Sequence, residues 1–347
     1  MTFRYIGSKA RIVAEIIEAL GPPTSRGGRF VDLFCGTGAV AEGAVRAGWD
    51  VHLNDHLHCA VIMAASRILG SENARFEATG GYKKTIDCLN ALAGESGFIY
   101  RSYSPASTRE IGFERRYFTK ENAGRIDAIR RRIDDWKKDG AISDCEEQLL
   151  IADLLSAANR VANIAGTYGC FLSIWQKQAL GALSMKPRPL LPGEVRVSLS
   201  VMEAERVRTR PSDVVYLDPP YTKRQYAAYY HLLETIALGD APVVSGVAGI
   251  RPWQQKASDF CYKTKAMRAF TTLIGGLEAE RVLVSYSDNA HVPIENLSDG
   301  IASFGQATPT MLTEIGRYRP NRIASGRRAT VNEYLIELER TALQAAA

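Results

Sequence analysis

The stretch Val-Val-Tyr-Leu-Asp-Pro-Pro-Tyr, residues 214–221, is the most informative part of this sequence. Its first four residues predict a short buried strand, and the two prolines end that strand because proline has no N–H and a fixed φ. The stiff turn leaves backbone carbonyls without partners, next to an acidic and an aromatic side chain. Ligands of α/β proteins bind at the carboxyl ends of strands, so this set suits a flat heteroaromatic ring with an exocyclic amine. A strand that runs into a proline-rich surface turn would show the same pattern.

Each residue of this turn has a predicted role if such a ring binds there. Tyr221 would stack on the ring, while Asp218 and the carbonyl of Pro219 would accept the hydrogens of the amine. Pro220 would keep the turn stiff. The predicted catalytic set is therefore Asp218, Pro219, Pro220 and Tyr221.

A second informative stretch, residues 30–41, predicts a strand, a glycine turn and a helix. Residues 50–55 predict the next strand, which ends in an acid. This βαβ opening is typical of a site for an adenosine-bearing cofactor, with Asp55 placed for the ribose hydroxyls. Residues 36–41 also match a loose dinucleotide pattern, so the loop alone does not distinguish NAD from S-adenosylmethionine.

Asp32, which precedes the glycine turn, favours S-adenosylmethionine over NAD. A carboxylate at this position would repel a pyrophosphate, but it could receive the ammonium of the methionine part. We therefore predict S-adenosylmethionine as the cofactor. Its predicted binding residues in the two stretches are Asp32, Phe34, Gly36, Gly38, Asp55 and Asp218.

The composition is ordinary for a soluble globular protein and is compatible with a polyanionic partner. The 347 residues suffice for one large or two modest domains, and the net charge of +5 is a mild basic excess. The six cysteines are scattered, which fits a reducing cytosol, and no signal peptide or membrane span is predicted. His52, His56 and His58 lack the spacing of a zinc motif, so no metal site is predicted. We expect a cytoplasmic protein that does not bind membranes.

The α/β pattern is interrupted by a long, mainly helical insertion at residues 75–199. Thr119 and Ser143 are placed to cap two helices, and the first helix carries a run of arginines. Residues 159–171 mix amides, an arginine, glycines and aromatics, which are side chains that read base edges and hold phosphates. A solvated, salt-bridged surface would explain any one of the arginines equally well. His231 is expected to pack or hydrogen-bond in a later helix and not to act as a general base.

Three elements occur in order: residues 5–9 (Tyr-Ile-Gly-Ser-Lys), residues 32–38 (Asp-Leu-Phe-Cys-Gly-Thr-Gly) and residues 218–221. Together they resemble the D12 class, Dam-like, of adenine-specific DNA methyltransferases in the alpha arrangement, over nearly the whole chain. The resemblance implies a Rossmann-like methyltransferase sheet formed by residues 1–74 and 200–347. It also implies that residues 75–199 are an inserted, mainly helical target-recognition domain. Residues 115–130, 163–175 and 225–236 look like restriction-modification members of that class.

The resemblance also implies the activity and the partners. The chain is expected to transfer a methyl group from S-adenosylmethionine to N6 of adenine in a specific double-stranded DNA sequence, after flipping the base. The resemblance further implies that Tyr5 and Lys9 contact the cofactor. The turn between these two residues has fewer glycines than in many members of the family. A cognate restriction endonuclease acting separately is an expected partner. We expect a monomer or weak dimer.

Other functions remain open from the sequence alone. An N4-cytosine DNA methyltransferase or an N6-adenine RNA methyltransferase would use the same amine chemistry, although residues 5–9 and the basic insertion favour duplex DNA. A catalytically silent DNA-binding protein could keep the fold, but the intact acid and aromatic residue at 218 and 221 argue against it. An NAD oxidoreductase is the most distant alternative.

Overall fold

The structure is a computed structural model that describes residues 6–7, 9–23, 27–316 and 330–340. The strands are β1 (Phe30–Asp32), β2 (Val51–Asp55), β3 (Val197–Val201), β4 (Val214–Leu217), β5 (Arg281–Ser287), β6 (Gly305–Gly316) and β7 (Thr330–Arg340). The α-helices are α1 (Val13–Leu20), α2 (Ala39–Arg46), α3 (His58–Arg67), α4 (Tyr82–Asn90), α5 (Phe98–Tyr103), α6 (Thr108–Ile111), α7 (Lys120–Lys138), α8 (Asp144–Val161), α9 (Tyr226–Tyr229), α10 (His231–Leu238), α11 (Ala266–Gly276) and α12 (Ile294–Ile301).

The strands form one seven-stranded sheet in the order β3-β2-β1-β4-β5-β7-β6. Strands β1 to β5 pair in parallel, whereas β7 is antiparallel to both β5 and β6. The chain order reverses beside β1, and ligands bind at such a switch point in open α/β sheets. The predicted fold class, an α/β fold with a Rossmann-like sheet, is confirmed.

The chain divides into two compact units. The sheet unit comprises residues 7–64, 196–225 and 256–347, and the helical unit comprises residues 1–6, 65–195 and 226–255. In the sheet unit, β4 is buried along its whole length and packs in one core with β5 and α11. Burying a valine or leucine side chain stabilises the folded state by about 1.5–3 kcal/mol, so this central strand is firmly held.

In the helical unit, the predicted caps of the two long helices are present. The Thr119 hydroxyl accepts a hydrogen bond from the N–H of Asn122 at the start of α7. Ser143 and Glu146 form a capping box at the start of α8, as their spacing predicts. The helical unit is larger than the insertion predicted at 75–199, since residues 226–255 belong to it as well.

Buried polar side chains explain why residues 226–255 belong to the helical unit. The guanidinium of Arg115 donates to the carbonyls of Val247 and Gly246, at 3.0 and 2.9 Å, and the Tyr103 hydroxyl donates to that of Gly249 at 2.8 Å. His231 is fully buried, with Nε2 2.9 Å from the Tyr168 carbonyl, so its predicted packing role is confirmed. These bonds join segments that are far apart in sequence, and no local pattern predicts them.

Two strands and one break were not predicted. β3 and β6 are the edge strands of the sheet, and neither β3 nor residues 305–312 of β6 contain a buried apolar residue, so they lack the alternation that indicates a strand. The later helix expected around His231 is two short helices, α9 and α10, which are separated at Tyr230. Among the described residues, no helix has the length and apolar character needed to cross a bilayer.

Candidate active site

The turn after β4 holds an acid, a free carbonyl and an aromatic ring. The side chain of Asp218 is 14% exposed, so it is largely withdrawn from water but reachable. Within the described part of the chain, nothing donates a hydrogen bond to the carbonyl of Pro219. Tyr221 is fixed by the N–H of His291, which donates to its carbonyl at 3.0 Å, and by an edge-on contact with the Tyr286 ring.

The glycine turn after β1 is tied to β2 by its backbone. The N–H of Cys35 donates to the Asn54 carbonyl at 2.9 Å, and the N–H of Gly36 donates to Oδ2 of Asp55 at 3.1 Å. Gly38 has φ +73, and a Cβ on it would lie 2.7 Å from Cα of Ala64. Glycine is therefore required at 38 both for its backbone conformation and for the close approach to α3.

The two turns lie at the same edge of the sheet. β1 and β4 are neighbouring parallel strands with Asp32 opposite Tyr216, and the N–H of Leu33 donates to the Tyr216 carbonyl at 3.2 Å. The chain therefore leaves both strands in the same direction at adjacent positions. This juxtaposition is what a group transfer between a cofactor at residues 36–38 and a ring at residues 218–221 requires.

Lys9 is buried beside the turn that follows β4. Its Nζ lies 3.3 Å from Oδ1 of Asp218 and 3.4 Å from the hydroxyl of Tyr221. A second carboxylate, Glu333 on β7, lies closer, with Oε2 2.8 Å from Nζ. Glu333 was not singled out from the sequence, because nothing near it indicates that β7 brings it to residues more than 300 positions away.

Burial and neighbouring charges shift the pKa values of these groups. Burial raises the pKa of Asp218 to about 6, against the lowering effect of Lys9. Burial lowers the pKa of Lys9, but the charges of Asp218, Tyr221 and Glu333 outweigh it and raise that pKa well above its ordinary value. Near pH 7 the lysine is therefore an ammonium and Asp218 is mainly a carboxylate.

Asp32 and Asp55 complete a group of acids at this edge. Burial raises the pKa of the Asp32 carboxyl well above its ordinary value, and the charges of Asp218 and Asp55 add to that effect. Asp55 accepts hydrogen bonds from the N–H groups of Gly36 and Leu57, so in this structure it orders the glycine turn.

The remaining predicted positions have varied environments. Phe34 is partly buried and contacts the ring of Phe260 edge-on. Tyr5 lies outside the described residues. His52, from the histidine group considered above, hydrogen-bonds to Ser198 and Ser200 on β3 through its two ring nitrogens.

The arginines of α7 mostly form hydrogen bonds and ion pairs within the helical unit. Arg130 donates to the Ile236 carbonyl and pairs with Asp134, and Arg131 pairs with Glu95. By contrast, residues 154–193 contain four basic side chains and no acidic one. Lys177 and Lys186, both exposed, are two of them.

Comparisons with known proteins agree with this geometry. The family model of the D12 class N6 adenine-specific DNA methyltransferases matches residues 5–296. The chain is 34% identical over 309 residues to the Type II methyltransferase M.FokI of Planomicrobium okeanokoites, covering 87% of this chain and 47% of that protein. It is 34% identical over 310 residues to the modification methylase LlaI of Lactococcus lactis subsp. lactis, covering 85% and 48%.

The chain thus spans about half the length of these two relatives. A third relative, the Type II methyltransferase M.NlaIII of Neisseria lactamica, is 32% identical over 345 residues, which cover 97% of this chain and 99% of that protein. The resemblance carried by residues 5–9, 32–38 and 218–221 is confirmed. The chain belongs to the D12 class of N6 adenine-specific DNA methyltransferases.

Proposed function

We propose that this chain transfers a methyl group from S-adenosylmethionine to N6 of adenine in a specific sequence of double-stranded DNA. The observation that carries the proposal is the juxtaposition of the 218–221 turn and the glycine turn at the carboxyl ends of β4 and β1. The relatives named modification methylases support a role beside a restriction endonuclease that acts separately.

The charges at this edge fit the proposed methyl donor. Three acids, Asp32, Asp55 and Asp218, lie at or beside the two turns, and the ammonium of Lys9 is paired with a fourth, Glu333. S-adenosylmethionine carries a sulfonium and an ammonium, both cationic, whereas the pyrophosphate of NAD would be repelled. The open glycine turn and Asp55 would hold the adenosine part, and Asp32 would receive the ammonium.

The residues of the turn after β4 act on the target amine. The lone pair of adenine N6 is delocalised into the ring, so the nitrogen is a poor nucleophile. Hydrogen bonds from its two protons to Asp218 and to the Pro219 carbonyl would draw the nitrogen toward sp³ geometry and free that lone pair. When bound, S-adenosylmethionine supplies the electrophilic methyl group. A direct in-line transfer needs no covalent enzyme intermediate.

The target base must leave the duplex to reach this turn. Extrusion costs a few kcal/mol, and stacking on the ring of Tyr221 would return about 1–3 kcal/mol. The edge contact of Tyr221 with Tyr286 and its backbone bond from His291 hold the ring ready before the base arrives. Preorganisation of this kind lowers the cost of binding.

The helical unit offers a surface suited to the DNA. The turn at residues 172–176 is held by buried Asn163, whose side-chain amide donates to the Leu172 carbonyl and whose Oδ1 accepts from the N–H of Gln176. This turn presents Ile174, which is 79% exposed, and lies in the acid-free stretch 154–193. We assign phosphate and base contacts to this region of the predicted recognition domain.

A methylation assay tests the proposal. The purified chain is incubated with methyl-labelled S-adenosylmethionine and either duplex DNA or RNA, with Asp218→Ala as the blank, and the digested nucleosides are identified by mass spectrometry. We expect N6-methyldeoxyadenosine from DNA. N4-methylcytosine, methylated RNA alone, or cofactor binding without any methylation would each contradict the proposal. Sequencing the genome of an expressing host for modified adenines would then give the recognition site.

A further inference from the structure

We propose that Glu333 is a positioning residue of the methyl-transfer site. It holds the Lys9 ammonium away from full contact with Asp218, which leaves the Asp218 carboxylate able to accept a hydrogen bond from the target amine. This inference rests on the proposed function and adds to it a residue from the far end of the chain.

The first observation that supports this role is the set of distances from Lys9 to its oxygen neighbours. An ammonium has three N–H donors. Within the described part of the chain, Lys9 has three oxygen neighbours, at 2.8 Å on Glu333, 3.3 Å on Asp218 and 3.4 Å on Tyr221. The shortest of these contacts is to Glu333, not to the acid of the catalytic turn. The ammonium is thus drawn toward β7, and its contact with Asp218 involves Oδ1. Among the described residues, none donates a hydrogen bond to Oδ2 of Asp218.

The second observation is the balance of charge among Lys9, Asp218 and Glu333. One lysine and one carboxylate would neutralise each other at a buried site, and a second carboxylate leaves a surplus negative charge. Burying such a surplus costs folding free energy unless something compensates it, so packing alone does not explain Glu333, which is only 12% exposed. Because Glu333 takes up the charge of the Lys9 ammonium, the Asp218 carboxylate keeps its own negative charge for an amine that becomes positive during transfer.

The third observation is an irregularity in the backbone of β6 opposite Glu333. Glu333 pairs with Ser287 of β5 on one side and with Thr313 of β6 on the other, and the register of β6 shifts between Met311 and Thr313. Bulges of this kind re-aim side chains and are common beside active sites. The irregularity lies directly opposite Glu333, at the end of β7 that reaches Lys9.

The same strand provides a matched control. Glu337 lies four residues further along β7, so its side chain is on the same face of the sheet as that of Glu333. It pairs with Arg281 at 2.5 Å and is 35% exposed. Glu337→Gln therefore removes an equivalent charge from the same face of the same strand without touching Lys9.

The charged and titratable groups around Asp218 fix the sign of the expected pH effect. They are Lys9, Glu333, Tyr216, Tyr221 and Asp32. The positive charge of Lys9 lowers the pKa of Asp218, whereas the negative charge of Glu333 raises the pKa of Asp218. Glu333→Gln removes one negative charge and lets the ammonium move onto Asp218, and both changes favour the ionised carboxylate. The pKa of Asp218 should therefore fall. The acid limb of the pH–rate profile, where the rate drops as Asp218 is protonated, should move to lower pH.

The test is a single-turnover measurement of methyl transfer to DNA across a range of pH, with cofactor and DNA saturating. For Glu333→Gln we expect a rate about ten- to a hundredfold below the unaltered chain, because small misplacements of a reacting group can cost about a hundredfold. We also expect an acid limb at lower pH and an unchanged affinity for S-adenosylmethionine. Glu337→Gln should match the unaltered chain. An unchanged rate and acid limb in Glu333→Gln would overturn the assignment.

A second pair of variants keeps the test decisive if Glu333→Gln does not fold. Removing both partners of a buried ion pair is less costly than removing one, so Lys9→Met with Glu333→Gln should fold. Because Glu333 acts through Lys9, adding Glu333→Gln to Lys9→Met should cost no further rate. A further tenfold loss in the double variant would overturn the inference. No methyl transfer by the unaltered chain would instead contradict the proposed function.

Discussion

Replacing Asp218 by asparagine isolates the contribution of its charge. The amide keeps the size of the carboxylate but is a weaker acceptor, and it leaves Lys9 paired with Glu333 alone. Desolvated groups aimed at developing charge lower a barrier by about 3 kcal/mol each, which corresponds to a rate loss of about a hundredfold. Asp218→Asn should therefore transfer methyl groups about a hundredfold more slowly while binding DNA nearly as well as the unaltered chain.

The pH dependence adds a second readout for the same variant. The carboxylate is the active form of Asp218, and its pKa is raised to about 6. The rate of the unaltered chain should therefore fall as pH drops through 6, with roughly a tenth of the activity left at pH 5. The residual activity of Asp218→Asn should lack that acid limb, because nothing titrates at the position.

The assay is single-turnover transfer of a labelled methyl group to unmethylated genomic DNA, with DNA binding measured separately. Asp288→Asn is the control, because Asp288 directly follows the parallel strand β5, next to β4, and is exposed. A rate for Asp218→Asn near that of the unaltered chain, or an acid limb that persists in it, would refute the role given to Asp218.

Three further tests concern other parts of the site and the proposed DNA surface. Gly38→Ala should destabilise the chain by about 1–3 kcal/mol in thermal unfolding, because φ is +73 and Cα of Ala64 would be 2.7 Å from the new Cβ, whereas Gly276→Ala meets nothing within 4 Å and should be neutral. Tyr221→Ala should slow transfer about ten- to a hundredfold through lost stacking, and Tyr221→Phe only a few-fold; equal losses would argue against stacking. Replacing Lys177 and Lys186 by alanine should lower the slope of log affinity against log salt by about 2, and an unchanged slope would remove them from the DNA surface.

The central part of the fold could be predicted because its signals are local. The buried run before Asp218 and the two prolines define β4 and its end, and the glycine turn between β1 and α2 follows from residues 30–41. The caps at Thr119 and Ser143 are likewise set by neighbours three residues away. Adjacency of the two turns then follows from the placement of β1 beside β4, which parallel α/β topology favours.

The rest depends on contacts between distant segments. Glu333 reaches Lys9 only because the last strand folds back antiparallel against β5, and an acid in a strand carries no sign of that. Residues 226–255 belong to the helical unit through bonds such as Arg115 to the Val247 carbonyl, which no spacing in the sequence indicates. Residues 305–312 of the edge strand β6 are mostly exposed, so this segment lacks the apolar signal of a strand.

The most direct test of the proposed methyl transfer is a structure of the chain with target DNA and an unreactive S-adenosylmethionine analogue. We expect the extruded adenine to stack on Tyr221, with N6 at about 2.7–3.2 Å from both the Asp218 carboxylate and the Pro219 carbonyl. The transferable end of the analogue should face N6 from the glycine turn at 36–38. An adenine whose N6 points away from Asp218, or an analogue bound elsewhere than this turn, would contradict the proposed transfer.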